Sequence, residues 1–84
     1  MSQYVVYILR CGDGTLYTGC TNDLPRRLAA HSSGRGAKYT RARLPVALVY
    51  QEDAADKSQA LRREAAIKAL TREQKLALIQ GKEG

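Results

Sequence analysis

From Tyr4 to Leu9 the chain reads YVVYIL, six positions without a charge. β-branched and aromatic residues of this kind favour a strand. A strand apolar on both sides belongs in the middle of a covered sheet. CGDG interrupts the run and TLYTG resumes it, which predicts a hairpin. Two turns fit. A two-residue Asp13-Gly14 turn puts Tyr7 and Tyr17 on opposite faces. A three-residue loop, Gly12-Asp13-Gly14 with Gly14 left-handed, closes Cys11 against Thr15; it sets Leu9 opposite Tyr17, with Tyr7 on the same face. Glycine at the position that needs the left-handed conformation favours the second.

After the hairpin the pattern changes to a helical period. Asn22 is the expected N-cap of a helix running to His31, with Pro25 in the first turn, where its missing N–H costs no helical bond. At about 100° per residue, Leu24, Arg27, Leu28 and His31 share one side. HSSGRG ends this helix, and residues 32–45 read as a basic loop carrying Arg35, Lys38, Arg41 and Arg43 around Tyr39. VALVY, 46–50, predicts a third strand, and QEDAAD a polar loop. A second helix is expected over Lys57 to Leu70. A third follows Thr71, which opens the capping box TREQ with Gln74 at N3. On the second helix Ala60, Ile67 and Leu70 form an apolar arc, extended by Leu61 and Ala65, while Arg62 and Arg63 point outward. Glu64 falls inside the arc. A buried lone carboxylate is too costly, so Glu64 needs a partner: Lys68 one turn on, or a metal. The elements add up to a small α/β domain whose sheet is at least partly antiparallel.

A length of 84 residues bounds the chain to one domain, 1–84, with one small core. A hydrophobic content of 44% fits a globular chain rather than a disordered one. Fourteen basic against eight acidic residues give a net charge of +6, which favours a polyanionic partner. No apolar run reaches the length of a membrane span. Met1 to Tyr4 lack the features of a secretory leader, so a cytoplasmic location is expected, with Cys11 and Cys20 reduced and acting as small hydrophobes. Two cysteines and one histidine are too few for a zinc site. Tyr4 and Tyr50 read as sheet packing. Gly19 is expected to let the strand turn into the helix, or to let a DNA backbone approach.

The remaining residues form a chemical set. Tyr7 and Tyr17 lie on adjacent strands, Arg27 and His31 one turn apart on the next helix, and Glu64 on the inner side of a later one. Arginine offers a phosphate a fork of donors. A carboxylate can hold Mg²⁺, and a tyrosine hydroxyl near a metal or base can orient or activate a water. A metal, a phosphate clamp and a proton acceptor are what phosphodiester hydrolysis uses. The segment with Arg35, Lys38, Tyr39, Arg41 and Arg43 suits phosphate contacts beside one aromatic that can stack on a base.

With these residues the sequence resembles the GIY-YIG nucleases, and among them the small stand-alone bacterial members. Val5-Val6-Tyr7 stands where the first motif is expected, and Tyr17-Thr18-Gly19 where the second is. Arg27 follows Gly19 by eight residues, the family's offset for its catalytic arginine. His31 matches a position often held by histidine, and Glu64 matches the metal-binding glutamate. GRGAKYTR and ALRREAAIKAL are similar to the stand-alone subgroup, so the resemblance spans nearly the whole chain. It implies a three-stranded antiparallel sheet flanked by helices, and cleavage of DNA with one divalent metal, Mg²⁺ or Mn²⁺. It implies that Tyr7 or Tyr17 helps deprotonate the attacking water, that Arg27 stabilises the phosphate and that Glu64 binds the metal. His31 is left as an alternate base or an orienting donor. Val5 and Val6 replace the glycine and isoleucine of the first motif, and as strand formers they suit the fold. A separate target-selecting domain does not fit in 84 residues, which points to weak or shape-led binding of DNA, with RNA not distinguished. No obligate protein partner is inferred. The expected function is a Mg²⁺-dependent DNA endonuclease or structure-selective nuclease. The alternative is a non-catalytic nucleic-acid-binding protein on the same fold, and a protein-interaction module is a third reading.

Overall fold

A computed structural model describes residues 3–81. Met1 and Ser2, part of the opening read as free of a leader, lie outside the described residues. The first apolar run is the strand Tyr4–Arg10 (β1), at the centre of an antiparallel sheet. On one side it pairs with Leu16–Thr21 (β2) and on the other with Ala47–Ala54 (β3), in the order β2-β1-β3. Four helices complete the described chain: Leu24–Ser32 (α1), Lys38–Arg41 (α2), Lys57–Lys68 (α3) and Arg72–Ile79 (α4). The hairpin takes the three-residue loop. The Cys11 N–H donates to the Thr15 carbonyl at 2.8 Å, Gly14 has φ +85°, and Leu9 stands opposite Tyr17. The two-residue turn is excluded by that register.

Side chains alternate across a strand, and this sorts the molecule into two layers. Val6 and Ile8, both wholly buried, face the helices α3 and α4, in one cluster with Ala54, Ala60, Ile67 and Leu78. Each large aliphatic side chain buried there contributes roughly 1.5–3 kcal/mol. Tyr7 and Leu9 are as completely buried on the opposite face, where α1 and α2 lie. The central strand is therefore apolar on both sides because both sides are covered.

Four local features differ from the sequence expectation. The N-cap of α1 is Asp23, not Asn22: its carboxylate accepts the Arg26 N–H at 3.2 Å, and a negative charge suits a helix N-terminus. Residues 32–45 contain the short helix α2 and fold back on the hairpin, where Gly12 N–H donates to the Arg43 carbonyl at 2.7 Å. A Cβ on Gly12 would stand 2.6 Å from the Leu44 oxygen, so only glycine allows this approach. β3 continues through Gln51, Glu52 and Asp53, which pair with Tyr7, Val6 and Val5; polar side chains are at home on an edge strand. α3 ends at Lys68 rather than Leu70, and Leu61 and Ala65 are exposed instead of extending the apolar arc. The capping box of α4 forms as expected, Thr71 and Gln74 each accepting the other's backbone N–H. No helix among the described residues is long and apolar enough to cross a membrane.

Candidate active site

The hairpin register and the phase of α1 gather Tyr7, Tyr17, Arg27 and His31 on one face of the sheet. Tyr7 lies across β2 directly over Gly19, its partner in the ladder. A Cβ on Gly19 would stand 2.6 Å from the Tyr7 hydroxyl oxygen. Gly19 is not among the left-handed glycines, which in the described residues are Gly14, Gly34 and Gly81. It lies within β2 rather than at the turn into α1, and it vacates the space the phenol fills.

The Tyr7 hydroxyl lies 3.1 Å from His31 Nε2. His31 is wholly buried. Its Nδ1 lies 2.8 Å from Thr40 Oγ1, on α2, and the Thr40 hydroxyl donates to the Ala37 carbonyl at 2.9 Å. Gly36 packs so closely that any Cβ there would overlap the imidazole. The Tyr17 ring leans on His31, with centroids 5.5 Å apart, and stacks on Tyr39 at 5.8 Å.

The charge states follow from these surroundings. Burial lifts the Tyr7 phenol above its ordinary value, with Arg27 pulling the other way, so the phenol keeps its proton at rest. The Tyr7 oxygen, and Tyr17 beside it, hold Arg27 still further into its charged form. Burial, and then the Arg27 cation, push His31 below its ordinary 6.5, so the imidazole is neutral at neutral pH. A protonated phenol, a neutral acceptor within hydrogen-bond reach and a permanent cation stand together.

Glu64 is not on this face. Cys20 points to the α3 side of β2, and its thiol donates to Glu64 Oε1 at 3.5 Å, while Lys68 Nζ lies 3.2 Å from Oε2. Burial and the adjacent Glu64 push the thiol up, which keeps it a donor. Because β2 is an edge strand, the two halves approach each other around that edge. Gly19 holds the Tyr7 hydroxyl on one side and Cys20 holds Glu64 on the other, and Cys20 is near enough to raise Tyr7 further. Among the described residues no three His, Cys, Asp or Glu side chains gather into a metal-binding group. The Glu64 carboxylate, only 18% exposed, is paired with Lys68, the partner one turn on that the helix spacing offered; as a carboxylate it is also of the ligand type that Mg²⁺ takes. That ion keeps several waters and takes one or two carboxylates plus substrate phosphate oxygens.

The basic segment divides. Lys38 and Arg41 are exposed on α2. Arg35 is exposed and donates to Ser33 Oγ at 3.2 Å. Arg43 is engaged within the protein. Its Nε lies 3.1 Å from Asp13 Oδ2, its Nη1 donates to the Tyr39 carbonyl at 2.9 Å, and its guanidinium covers the Tyr39 ring at 3.9 Å. Tyr39, held between Tyr17 and Arg43, is engaged as well. Beside Arg27 opens a cleft of about 500 Å³ lined by Thr21, Asn22, Asp23, Arg26 and Ala30. Thr40, Gly36 and Arg26 had no assigned role in the sequence reading. The glycine in GRG was the one available sign of a close approach.

Residues 3–77 match the family model described as the GIY-YIG catalytic domain. The chain belongs to the GIY-YIG family. It is 54% identical over 80 residues to a UPF0213 protein of Staphylococcus epidermidis, covering 95% of this chain and 98% of that one. It is 56% identical over 75 residues to a UPF0213 protein of Streptococcus sanguinis, covering 89% and 86%. The solution NMR structure of the UPF0213 protein of Bacillus halodurans superposes with a TM-score of 0.61 at 47% identity, over 96% of this chain and 86% of that one. That of a protein from E. faecalis does so with 0.63 at 43%, over 96% and 85%. In this GIY-YIG domain the two tripeptides meet in space: the tyrosine ending the first lies over the glycine ending the second.

Proposed function

We propose that this GIY-YIG domain is a metal-dependent nuclease that hydrolyses phosphodiester bonds in DNA. The observation that supports this most is the Tyr7 hydroxyl, hydrogen-bonded to a buried neutral His31 and faced by Arg27. The attacking water gives its proton to the Tyr7 oxygen as Tyr7 passes its own to His31 Nε2. The water oxygen bonds to phosphorus, and the leaving oxygen departs with the electron pair of the broken P–O bond. Arg27 holds a non-bridging oxygen as charge develops, where a positioned donor acts most strongly. Glu64 would hold Mg²⁺ or Mn²⁺, which supplies Lewis-acid stabilisation of the phosphate and of the leaving oxygen. Lys38, Arg41 and Arg35 take flanking phosphates, and Arg26 a further one at the cleft; Arg43 and Tyr39 hold that surface in place. The free thiols of Cys11 and Cys20 suit a reducing cytoplasm.

The test is cleavage of labelled duplex, nicked, flapped and branched DNAs, and of one RNA, with and without Mg²⁺. Cleavage is expected only with metal, and Glu64→Ala should abolish it while circular dichroism shows an intact fold. Equal cutting by both proteins would remove Glu64 as the ligand. Salt-sensitive binding with no cleavage of any substrate would establish the binding-only alternative.

A further inference from the structure

His31 has two ring nitrogens and, when neutral, one proton to place. Its neighbours decide where. The Thr40 hydroxyl lies 2.9 Å from the Ala37 carbonyl, a group that can only accept, and 2.8 Å from His31 Nδ1. If the hydroxyl proton goes to Ala37, Nδ1 carries the histidine proton and donates it to Thr40, and the bare Nε2 accepts from Tyr7. This direction makes three hydrogen bonds: Tyr7 to Nε2, Nδ1 to Thr40, Thr40 to Ala37. The reverse makes two, Thr40 to Nδ1 and Nε2 to Tyr7, and leaves the phenol proton with no acceptor among the described residues. Burial makes that difference count, since an unpaired buried polar group costs about 1–3 kcal/mol. His31, Tyr7 and Thr40 are each no more than 1% exposed. Arg27 adds to the same direction, because a cation facing the Tyr7 oxygen favours its lone pairs on that side and its proton on the other.

We propose that Thr40 is a positioning residue that fixes His31 in its Nδ1–H tautomer and so keeps the Nε2 lone pair aimed at the Tyr7 hydroxyl. This assignment rests on the nuclease reading for its consequence in catalysis, but the tautomer is a property of the resting protein. Without Thr40 the histidine can hold its proton on Nε2, and Tyr7 then loses its acceptor. The groups that face the imidazole are Tyr7 from β1, Tyr17 from β2 and Arg27 from α1; α2 contributes Thr40 and no titratable side chain in contact with the ring. Thr40 shares its short helix with Lys38 and Arg41, and Tyr39 between them stacks on Tyr17. One element thus presents cations outward and sets the proton acceptor inward.

His31 is the only histidine in the chain, so its ring nitrogens give two unambiguous signals. The experiment is long-range ¹H–¹⁵N NMR of the uniformly labelled protein at neutral pH, for wild type, Thr40→Ser and Thr40→Val, with single-turnover DNA cleavage alongside. Wild type and T40S should show a protonated Nδ1 and a bare Nε2, and T40V should shift proton occupancy onto Nε2. Cleavage at saturating DNA should fall by about tenfold or more in T40V and recover in T40S, with DNA affinity unchanged in both. A protonated Nε2 in wild type, or a T40V spectrum like wild type, would overturn the assignment. If valine is not accommodated, Thr40→Ala makes the same comparison. Should no DNA be cut by any form, the nuclease reading falls, and the spectra still decide the tautomer.

Discussion

Gly19 stands opposite Tyr7 in the β1–β2 ladder, and the phenol occupies the space its side chain would take. Gly19→Ala should therefore displace the Tyr7 hydroxyl from His31. Overpacking of this kind costs roughly 1–3 kcal/mol, so denaturant unfolding should show the loss together with a drop in cleavage rate; unchanged stability and rate would mean that the phenol does not need that space. His31 sets a pH dependence. Its value is lowered from 6.5 by burial and then by Arg27, so the unfolded chain binds this proton more readily than the folded one. Stability from this group is complete above pH 6.5 and is lost as pH falls through the lower folded value. Cleavage should follow the same sign, rising with pH through a value below 6.5 as the imidazole becomes free to accept from Tyr7. A pH–rate profile whose acidic limb lies above 6.5 would contradict a buried, neutral His31. The shared side of Arg27 and His31 was legible in the sequence because the helical period fixes it, whereas the common face of Tyr7 and Tyr17 hung on the turn that Gly14 decides. The use made of Gly19 was not legible, because it depends on which residue lies opposite.

At the scale of elements, α2 distinguishes the arginines that the sequence groups together. Arg41 is exposed on the helix surface, whereas Arg43 ties α2 to the hairpin through Asp13 and covers Tyr39. Arg41→Ala should weaken DNA binding and lower the salt slope by about one, with the fold's stability unchanged. Arg43→Ala should instead lower the melting temperature, through loss of a half-exposed ion pair and a cation–π contact, with a smaller change of slope. Salt titrations beside thermal unfolding separate the two; the same slope change in both variants without a change in melting would return Arg43 to the phosphate-binding surface. The phase of α1 and the capping box at Thr71 were readable because each rests on neighbours within a few residues. α2 was not, since four helical residues carry no period, and its position is set by Gly12, Gly36 and Thr40 meeting other elements. β3 ran on through Gln51 to Asp53 against their composition because β1 offered backbone partners.

Across the whole molecule, the sheet edge organises the chemistry. Tyr7, Tyr17, Arg27 and His31 lie on one face and Glu64 on the other, with the Gly19–Cys20 stretch of the edge strand between them. On the proposed nuclease reading, a phosphate at that edge would meet Arg27 from one face, and Glu64 would hold the cation on the other. The sequence pointed to all five side chains but not to their division, because Glu64 reads as inward-facing on its own helix whichever face of the sheet that helix covers. The central claim is that the tyrosine face performs chemistry rather than merely binding, and Arg27 tests it most directly. Single-turnover cleavage at saturating DNA, measured beside equilibrium binding, should show Arg27→Ala losing on the order of a hundredfold in rate with a much smaller loss of affinity. Equal losses of affinity in Arg27→Ala and Arg41→Ala, with saturated cleavage rates unaltered in both, would contradict it and place Arg27 on the binding surface.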